Sequence, residues 1–64
     1  MKKVGSIKEF RKEFNISQSE LSKKTGVSQS LISNWESGNW SFSLKNFIKI
    51  RKFINLNGYD IDFI

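Results

Sequence analysis

Residues 18–38, QSELSKKTGVSQSLISNWESG, decide the fold. Leu21 is the one large apolar residue of its segment, and Ile32 and Trp35 lie one helical turn apart in the segment that follows. Gly26 separates the two segments, and glycine adopts the left-handed conformation that ends a helix at little cost. The pattern therefore predicts two short helices joined by a tight turn, with the three apolar side chains facing one another.

Serine residues mark where the helices begin. Ser6 and Ser17 are each followed three residues later by Glu, which is the pattern of a capping box. Ser28 and Ser43 are further candidates for the N-cap position. The predicted helices lie at 6–14, 18–25, 28–37 and 44–55.

The C-terminal segment changes its period from helical to alternating. Tyr59, Ile61 and Phe63 fall on one face, which is typical of a β-strand. A strand needs a neighbour for its backbone groups, and no other segment looks like a strand. We therefore expect it to pair with the same strand of a second copy, with a coil or a frayed helical turn as the alternative. The sequence divides into a domain at 1–56 and a dimerisation segment at 57–64.

The fourth predicted helix is apolar on two sides, one around Leu44 and one around Ile50 and Phe53. A helix that is apolar on two sides packs on two sides, so one side suits the core and the other suits a partner or the C-terminal segment. The expected dimer interface takes apolar residues from this helix and the strand: Ile50, Phe53, Tyr59, Ile61 and Phe63.

The composition excludes several kinds of site. The 64 residues include 11 Lys and Arg, 6 Asp and Glu, and neither Cys nor His. Disulfides, thiolate zinc sites and cysteine or imidazole catalysis are therefore excluded, and we expect no metal, no cofactor and no enzymatic activity. Asp60 and Asp62 lack a third ligand, so a solvated strand face is the simpler interpretation.

The net charge of +5 suggests an anionic partner. Nucleic acid is the first candidate and an anionic membrane the second, although such a charge is also ordinary for solubility. No apolar run approaches the roughly 18 residues that a membrane span needs, so we expect a soluble, cytoplasmic protein.

The outward face of the third predicted helix carries amides and hydroxyls instead of Lys and Glu. Such side chains bind base edges in the major groove of double-stranded DNA, whereas a merely solvated face is usually charged. The expected base contacts are Gln29, Ser30, Ser33 and Asn34. Lys45 and Asn46 begin the fourth helix, whose N-terminus is suited to phosphate.

At this point the sequence resembles a known family. The helix-turn-helix domains of the lambda-repressor and Cro type (XRE-like) share residues of the same kind at the same spacing, and the resemblance covers about residues 6–54. The matching positions are Gln18, Leu21, Gly26, Val27, Ser28, Ile32, Trp35, Glu36 and Gly38. The resemblance implies a mostly α fold, here four helices with a short C-terminal strand, in which residues 28–36 form the recognition helix.

The resemblance also implies roles for individual residues. Gln29, Ser30 and Asn34 match the base-contacting positions of the family. Arg11 and Glu36 match an ion pair that joins the first helix to the end of the recognition helix. Gln18 matches a glutamine that binds phosphate and braces that helix. The expected DNA backbone contacts are Gln18, Ser28, Lys45 and Asn46.

The sequence departs from the family in two places. Phe42 stands where many members have proline, so this loop and its Trp40 are expected to pack differently. The last helix of many members is missing, and residues 56–64 look more like the strand of some members, including antitoxins.

Two functions remain open at this stage. The first is a phage- or plasmid-type repressor that binds an inverted-repeat operator as a homodimer. The alternative is a DNA-binding antitoxin whose main task is to bind a partner toxin protein.

Overall fold

A computed structural model describes residues 1–38 and 43–61 of the chain. Four helices lie between two short strands, so the expected mostly α fold with a C-terminal strand is confirmed. The expectations for Trp40, Phe42, Asp62 and Phe63 lie outside the described residues. In chain order the elements are β1 (Lys2–Val4), α1 (Ile7–Phe14), α2 (Gln18–Thr25), α3 (Gln29–Glu36), α4 (Leu44–Leu56) and β2 (Tyr59–Ile61).

Serine side chains cap three of these four helices. The hydroxyl oxygens of Ser6, Ser17 and Ser28 each accept the backbone N–H three residues later, at 3.0–3.1 Å. Each such cap is worth about 1 kcal/mol. Ser43 occupies the N-cap position of α4, as expected, but its side chain makes no capping hydrogen bond.

The turn between α2 and α3 is fixed by a glycine and two hydroxyls. Gly26 adopts φ 76°, the left-handed conformation. The Ser22 hydroxyl donates to the Val27 carbonyl at 2.6 Å. The Thr25 hydroxyl donates to the Leu21 carbonyl at 2.7 Å and accepts the Val27 N–H at 3.3 Å. These bonds satisfy the backbone at the reversal and hold the two helices at one angle.

One hydrophobic core joins every element of the fold. Its side chains come from the inward faces of the four helices, from the two strands, and from the turns that precede α2 and α3. Packing across the elements accounts for the stability of helices that are only eight residues long and marginal in isolation. The core residues are Val4, Ile7, Phe10, Ile16, Leu21, Val27, Ile32, Trp35, Ile50, Ile54 and Ile61.

The C-terminal strand finds its partner within the same chain. β1 and β2 pair in parallel, with Val4 opposite Ile61, and the Lys2 N–H donates to the Gly58 carbonyl at 3.0 Å. The expectation that no other segment forms a strand was therefore wrong. β1 has three residues, of which only Val4 is apolar and buried, so no period-two pattern marks it.

The outer edge of β2 is already occupied by side chains. In a parallel pair backbone groups alternate between the two sides, so Tyr59 and Ile61 present theirs away from β1. The Ile61 N–H donates to the Asp60 carboxylate at 3.0 Å. The Asn55 amide, in the orientation that its neighbours favour, donates to the Tyr59 carbonyl at 2.9 Å and to Asp60 at 3.2 Å. Another strand could add to this edge only by displacing these bonds.

Two residues of the expected dimer interface lie in the monomer's own core. Ile50 is 0% exposed and Ile61 is 6% exposed, so neither offers surface to a second copy, and the expectation was wrong for both. Phe53 and Tyr59 are half-buried, and each packs edge-on against the Phe10 ring, with centroids 6.2 and 5.3 Å apart. Within segment 57–64, Ile61 thus belongs to the core and Tyr59 packs against it.

Candidate nucleic-acid interface

The buried face of α3 determines which side chains it presents to solvent. Ile32 and Trp35 are 0% and 4% exposed. Successive helical residues lie about 100° apart around the axis, so the residues on the side opposite Ile32 and Trp35 point to solvent. The residues on that side are polar. All four residues expected to contact bases are exposed: Gln29, Ser30, Ser33 and Asn34.

The side chains of this polar face are not engaged elsewhere in the fold. Within residues 1–38 and 43–61, none of the four is a hydrogen-bonding partner through its side chain. Their amide and hydroxyl donors and acceptors are therefore available. Two amides and two hydroxyls on adjacent turns match the size and the donor and acceptor pattern of base edges in the major groove.

A charged network holds α3 against α1 and α2. The Arg11 guanidinium donates through Nε to Glu36 Oε2 at 2.6 Å and through Nη2 to Oε1 at 2.7 Å. Gln18 Nε2 donates to Glu36 Oε1 at 3.2 Å, and Arg11 Nη1 donates to the Ile16 carbonyl at 3.3 Å. This is the ion pair that the family resemblance implies, in a two-pronged geometry that fixes both side chains.

Burial and pairing act on the two charges in opposite directions. The side chains of Arg11 and Glu36 are 18% and 6% exposed. Burial alone would raise the pKa of Glu36, but the hydrogen bonds from Arg11 and Gln18 outweigh it and hold that pKa below the ordinary carboxyl value. The hydrogen bond to Glu36 raises the pKa of Arg11 above its ordinary value. Both groups therefore stay charged at neutral pH.

Gln18 has one of its two expected roles within the fold. Its amide braces the C-terminal end of α3 through Glu36, and the side chain is half-buried at the start of α2. The amide retains further hydrogen-bonding capacity, since only one of its two N–H groups is used in that bond. The expected phosphate contact at Gln18 stays a prediction.

The remaining backbone-contact residues lie at helix N-termini. Ser28 is exposed, and its oxygen accepts the Leu31 N–H while its O–H remains a donor. Lys45 is exposed and Asn46 half-buried in the first turn of α4. The Ser43 side chain makes no capping hydrogen bond to the first N–H groups of α4. Helix N-termini of this kind favour phosphate.

Two networks escaped the sequence analysis. Asp60 is half-buried and binds the Ile61 N–H, and its carboxylate lies 3.4 Å from Arg51 Nε, so it is not simply a solvated face. The hydroxyls of Ser22 and Thr25 pin the turn. Hydroxyls that hydrogen-bond to the backbone follow no periodic pattern in the sequence. A contact between α4 and β2 can be predicted only once the fold is known.

The structure limits the chemistry that the described residues support. In the described ranges, no group of three or more acidic residues could hold a metal ion. None of the helices described is long and apolar enough to cross a bilayer.

Comparison with known proteins finds a match to a family model and a similar curated protein. A family model described as helix-turn-helix matches residues 7–61. An uncharacterized HTH-type transcriptional regulator of Archaeoglobus fulgidus is 44% identical over 55 residues, which is 86% of this chain and 78% of that protein. No solved structure matches the chain significantly.

Proposed function

Since the chain belongs to the helix-turn-helix family of DNA-binding transcriptional regulators, of the lambda-repressor and Cro type, we propose that it is a repressor that reads an operator through α3. The family points to a regulator and not to an enzyme. Repression follows if the bound protein occludes a promoter.

One observation carries the proposal. The outward face of α3 consists of amides and hydroxyls without partners in the described fold, on a helix held rigidly by a buried ion pair. A preorganised helix loses little conformational freedom on binding, so its contacts contribute most of their free energy to affinity. Gln29 is suited to adenine because its amide can bond N6 and N7 together, and Ser30, Ser33 and Asn34 are suited to neighbouring base edges.

The backbone contacts are proposed to fix the register. Gln18, Ser28, Lys45 and Asn46 would bind phosphates on either side of the groove, through amide, hydroxyl and ammonium donors and through the N-termini of α3 and α4. Such contacts carry little sequence information but make affinity depend on salt. The net charge of +5 is consistent with this contribution.

We propose that two copies bind the two halves of an inverted repeat. Two-fold symmetry would bring their recognition helices into successive major grooves about 34 Å apart. Ile50 and Ile61 are buried, so Phe53, Tyr59 and Phe63 remain the proposed contacts between the copies, which adjacent half-sites on the DNA would bring together. The protein would act in the cytoplasm, where such DNA is found.

Selection of bound duplexes from a random pool tests the proposal, followed by anisotropy titrations on the selected sequence. Gln29→Ala should weaken binding by about 1–3 kcal/mol and relax preference at one base pair. The affinity of Ser30→Ala for the selected duplex should be compared with that of Ser19→Ala, which removes an exposed hydroxyl from α2. Equal affinity for selected and random duplexes would refute sequence-specific binding.

The alternative function is a DNA-binding antitoxin that neutralises a partner toxin protein. It shares the operator contacts, so DNA binding alone does not separate the two. Expression of the chain alone with a reporter under the selected operator distinguishes them. A stand-alone repressor lowers the reporter without any partner, whereas an antitoxin whose main role is neutralisation requires the toxin for full repression.

A further inference from the structure

The outward face of α4 exposes aliphatic side chains that the fold does not use. Leu44, Ile48 and Leu56 are 57%, 54% and 76% exposed. They are three of the five large hydrophobic residues exposed in the described ranges, and the other two, Met1 and Phe14, lie elsewhere. The side around Leu44 is one of the two apolar sides of this helix, and the core takes the other. An aliphatic face left in solvent marks an interaction surface.

Cations border this aliphatic face. Between Leu44 and Leu56, α4 contains four cationic residues and no carboxylate. Arg51 and Lys52 line the same groove as Ile48 and Leu56. The Asp60 carboxylate lies 3.4 Å from Arg51 Nε and partly neutralises its charge, on the side of α4 that faces β2. The cations are Lys45, Lys49, Arg51 and Lys52.

This combination of charge and shape excludes the simplest occupants. A two-fold contact between copies would place the same patch on both sides, with lysines facing lysines and no carboxylate of α4 to balance them. DNA phosphates suit the lysines but leave the aliphatic side chains in water. An amphipathic helix with an apolar stripe flanked by Asp and Glu satisfies both, because its stripe covers Ile48 and Leu56 while its carboxylates meet Lys49 and Lys52.

We propose that the outer face of α4 docks an acidic amphipathic helix of a partner protein. Exposed lysines increase the association rate of such a helix, and burial of the aliphatic side chains slows its release. Ile48 and Leu56 lie beyond the first turn of α4, which holds the proposed phosphate contacts Lys45 and Asn46, and on a different helix from α3, so a partner seated on them leaves the base-reading face uncovered. The inference holds whether or not the protein represses.

The first experiment uses designed peptides as probes. One peptide places leucines at i, i+3, i+4 and i+7 with glutamates on both flanks. The second has lysine in place of every glutamate, and the third is a scramble of the first. The acidic amphipathic peptide should bind about tenfold more tightly than either control, measured by anisotropy. Equal binding of the scramble would overturn the proposal, because attraction would then be charge alone.

Two variants locate the site, and both leave the proposed DNA contacts intact. Ile48→Gln with Leu56→Gln should weaken peptide binding at least about tenfold, since burial of one aliphatic side chain is worth that factor. Lys52→Glu should also weaken it, whereas Lys12→Glu, the same change on α1, should not. In an amide NMR titration, shifts at Ile48 and Lys52 support the site, and shifts confined to α3 overturn it.

Two further measurements detect other occupants of this face. If the wild-type protein sediments as a dimer and the Ile48 and Leu56 double variant as a monomer, a second copy covers the face and the proposal is wrong. If vesicles of phosphatidylglycerol bind the wild-type protein but not that variant, while the acidic peptide binds both equally, a membrane surface is the occupant and the proposal is again wrong. Unchanged operator affinity in the double variant separates this inference from the proposed repressor function.

Discussion

Replacing Glu36 with glutamine should remove most of the stability of the domain. Glu36 accepts two hydrogen bonds from Arg11 and one from Gln18, and its side chain is 6% exposed. A glutamine carbonyl can accept only part of this set, and its NH₂ group would face the guanidinium donors. The Arg11 charge, whose side chain is 18% exposed, would then be left without its counter-ion.

The magnitude follows from the burial of the pair. Removing one partner of a fully buried ion pair costs about 3–5 kcal/mol, and partial exposure of Arg11 reduces this to about 2–3 kcal/mol. A domain of this size has about 3–5 kcal/mol in total. At about 4–8 °C per kcal/mol, the expected fall in Tm is about 10–20 °C. Arg11→Met with Glu36→Leu should recover most of the loss, because no unpaired buried charge remains.

The measurement is urea denaturation followed by Trp fluorescence, at pH 7 and at pH 3. The folded-state pKa of Glu36 is held below its ordinary value of about 4.3. Its contribution is therefore fully present above that value and is lost as the pH falls through the folded pKa. The difference in unfolding free energy between wild type and Glu36→Gln should therefore be smaller at pH 3 than at pH 7.

Glu20→Gln is the matched control. Glu20 is exposed on α2, and glutamine also suits its position in the capping box, so the same change should alter stability by no more than about 0.5 kcal/mol. If Glu36→Gln were as mild as Glu20→Gln, or if its gap from wild type were equal at both pH values, the role assigned to the ion pair would be wrong.

Three further predictions concern the turn, the strand and the DNA contacts. Gly26→Ala should lower the free energy of unfolding by about 1–2 kcal/mol in urea, because φ is 76° and no atom lies within 4 Å of the added Cβ, so the cost is purely conformational. Val4→Ala should cost about 2 kcal/mol in the same assay, since Val4 is 1% exposed, and an unchanged midpoint would refute a structural β1. Lys45→Ala should reduce the slope of log affinity against log salt by about 1 in operator titrations, whereas Lys12→Ala should leave it unchanged.

The local features of the fold were predictable from the sequence because their causes are local. Caps at Ser6, Ser17 and Ser28 depend on residues within one turn, and the reversal at Gly26 depends on a single left-handed residue. The polar face of α3 followed from two buried positions and the helical period. The packing side of α4 did not follow, because both of its apolar sides are plausible until α2 and β2 are in place.

Long-range pairing accounts for the rest of what the sequence did not predict. β1 has three residues and a single apolar side chain, so its pairing with β2 leaves no local pattern. The hydrogen bonds that occupy the outer edge of β2 come from Asn55 and Asp60, and these two residues meet only when α4 packs on the strand. Two residues of the expected dimer interface, Ile50 and Ile61, were wrong for the same reason, since this chain itself covers them.

The parallel pairing of β1 and β2 joins two segments that are synthesised at different times. The partner of Lys2–Val4 is translated roughly sixty residues later, which takes about 3–12 s at about 5–20 residues per second. All four helices emerge before it, and the turn between α2 and α3 needs only neighbours in the chain. The helix pair that carries the reading face needs no residue of β2, whereas Val4 and the adjoining core stay uncovered until Ile61 is in place. A chain in which this pairing opens keeps its recognition helix while part of its core is uncovered, so this end of the fold is the one most open to proteases and chaperones.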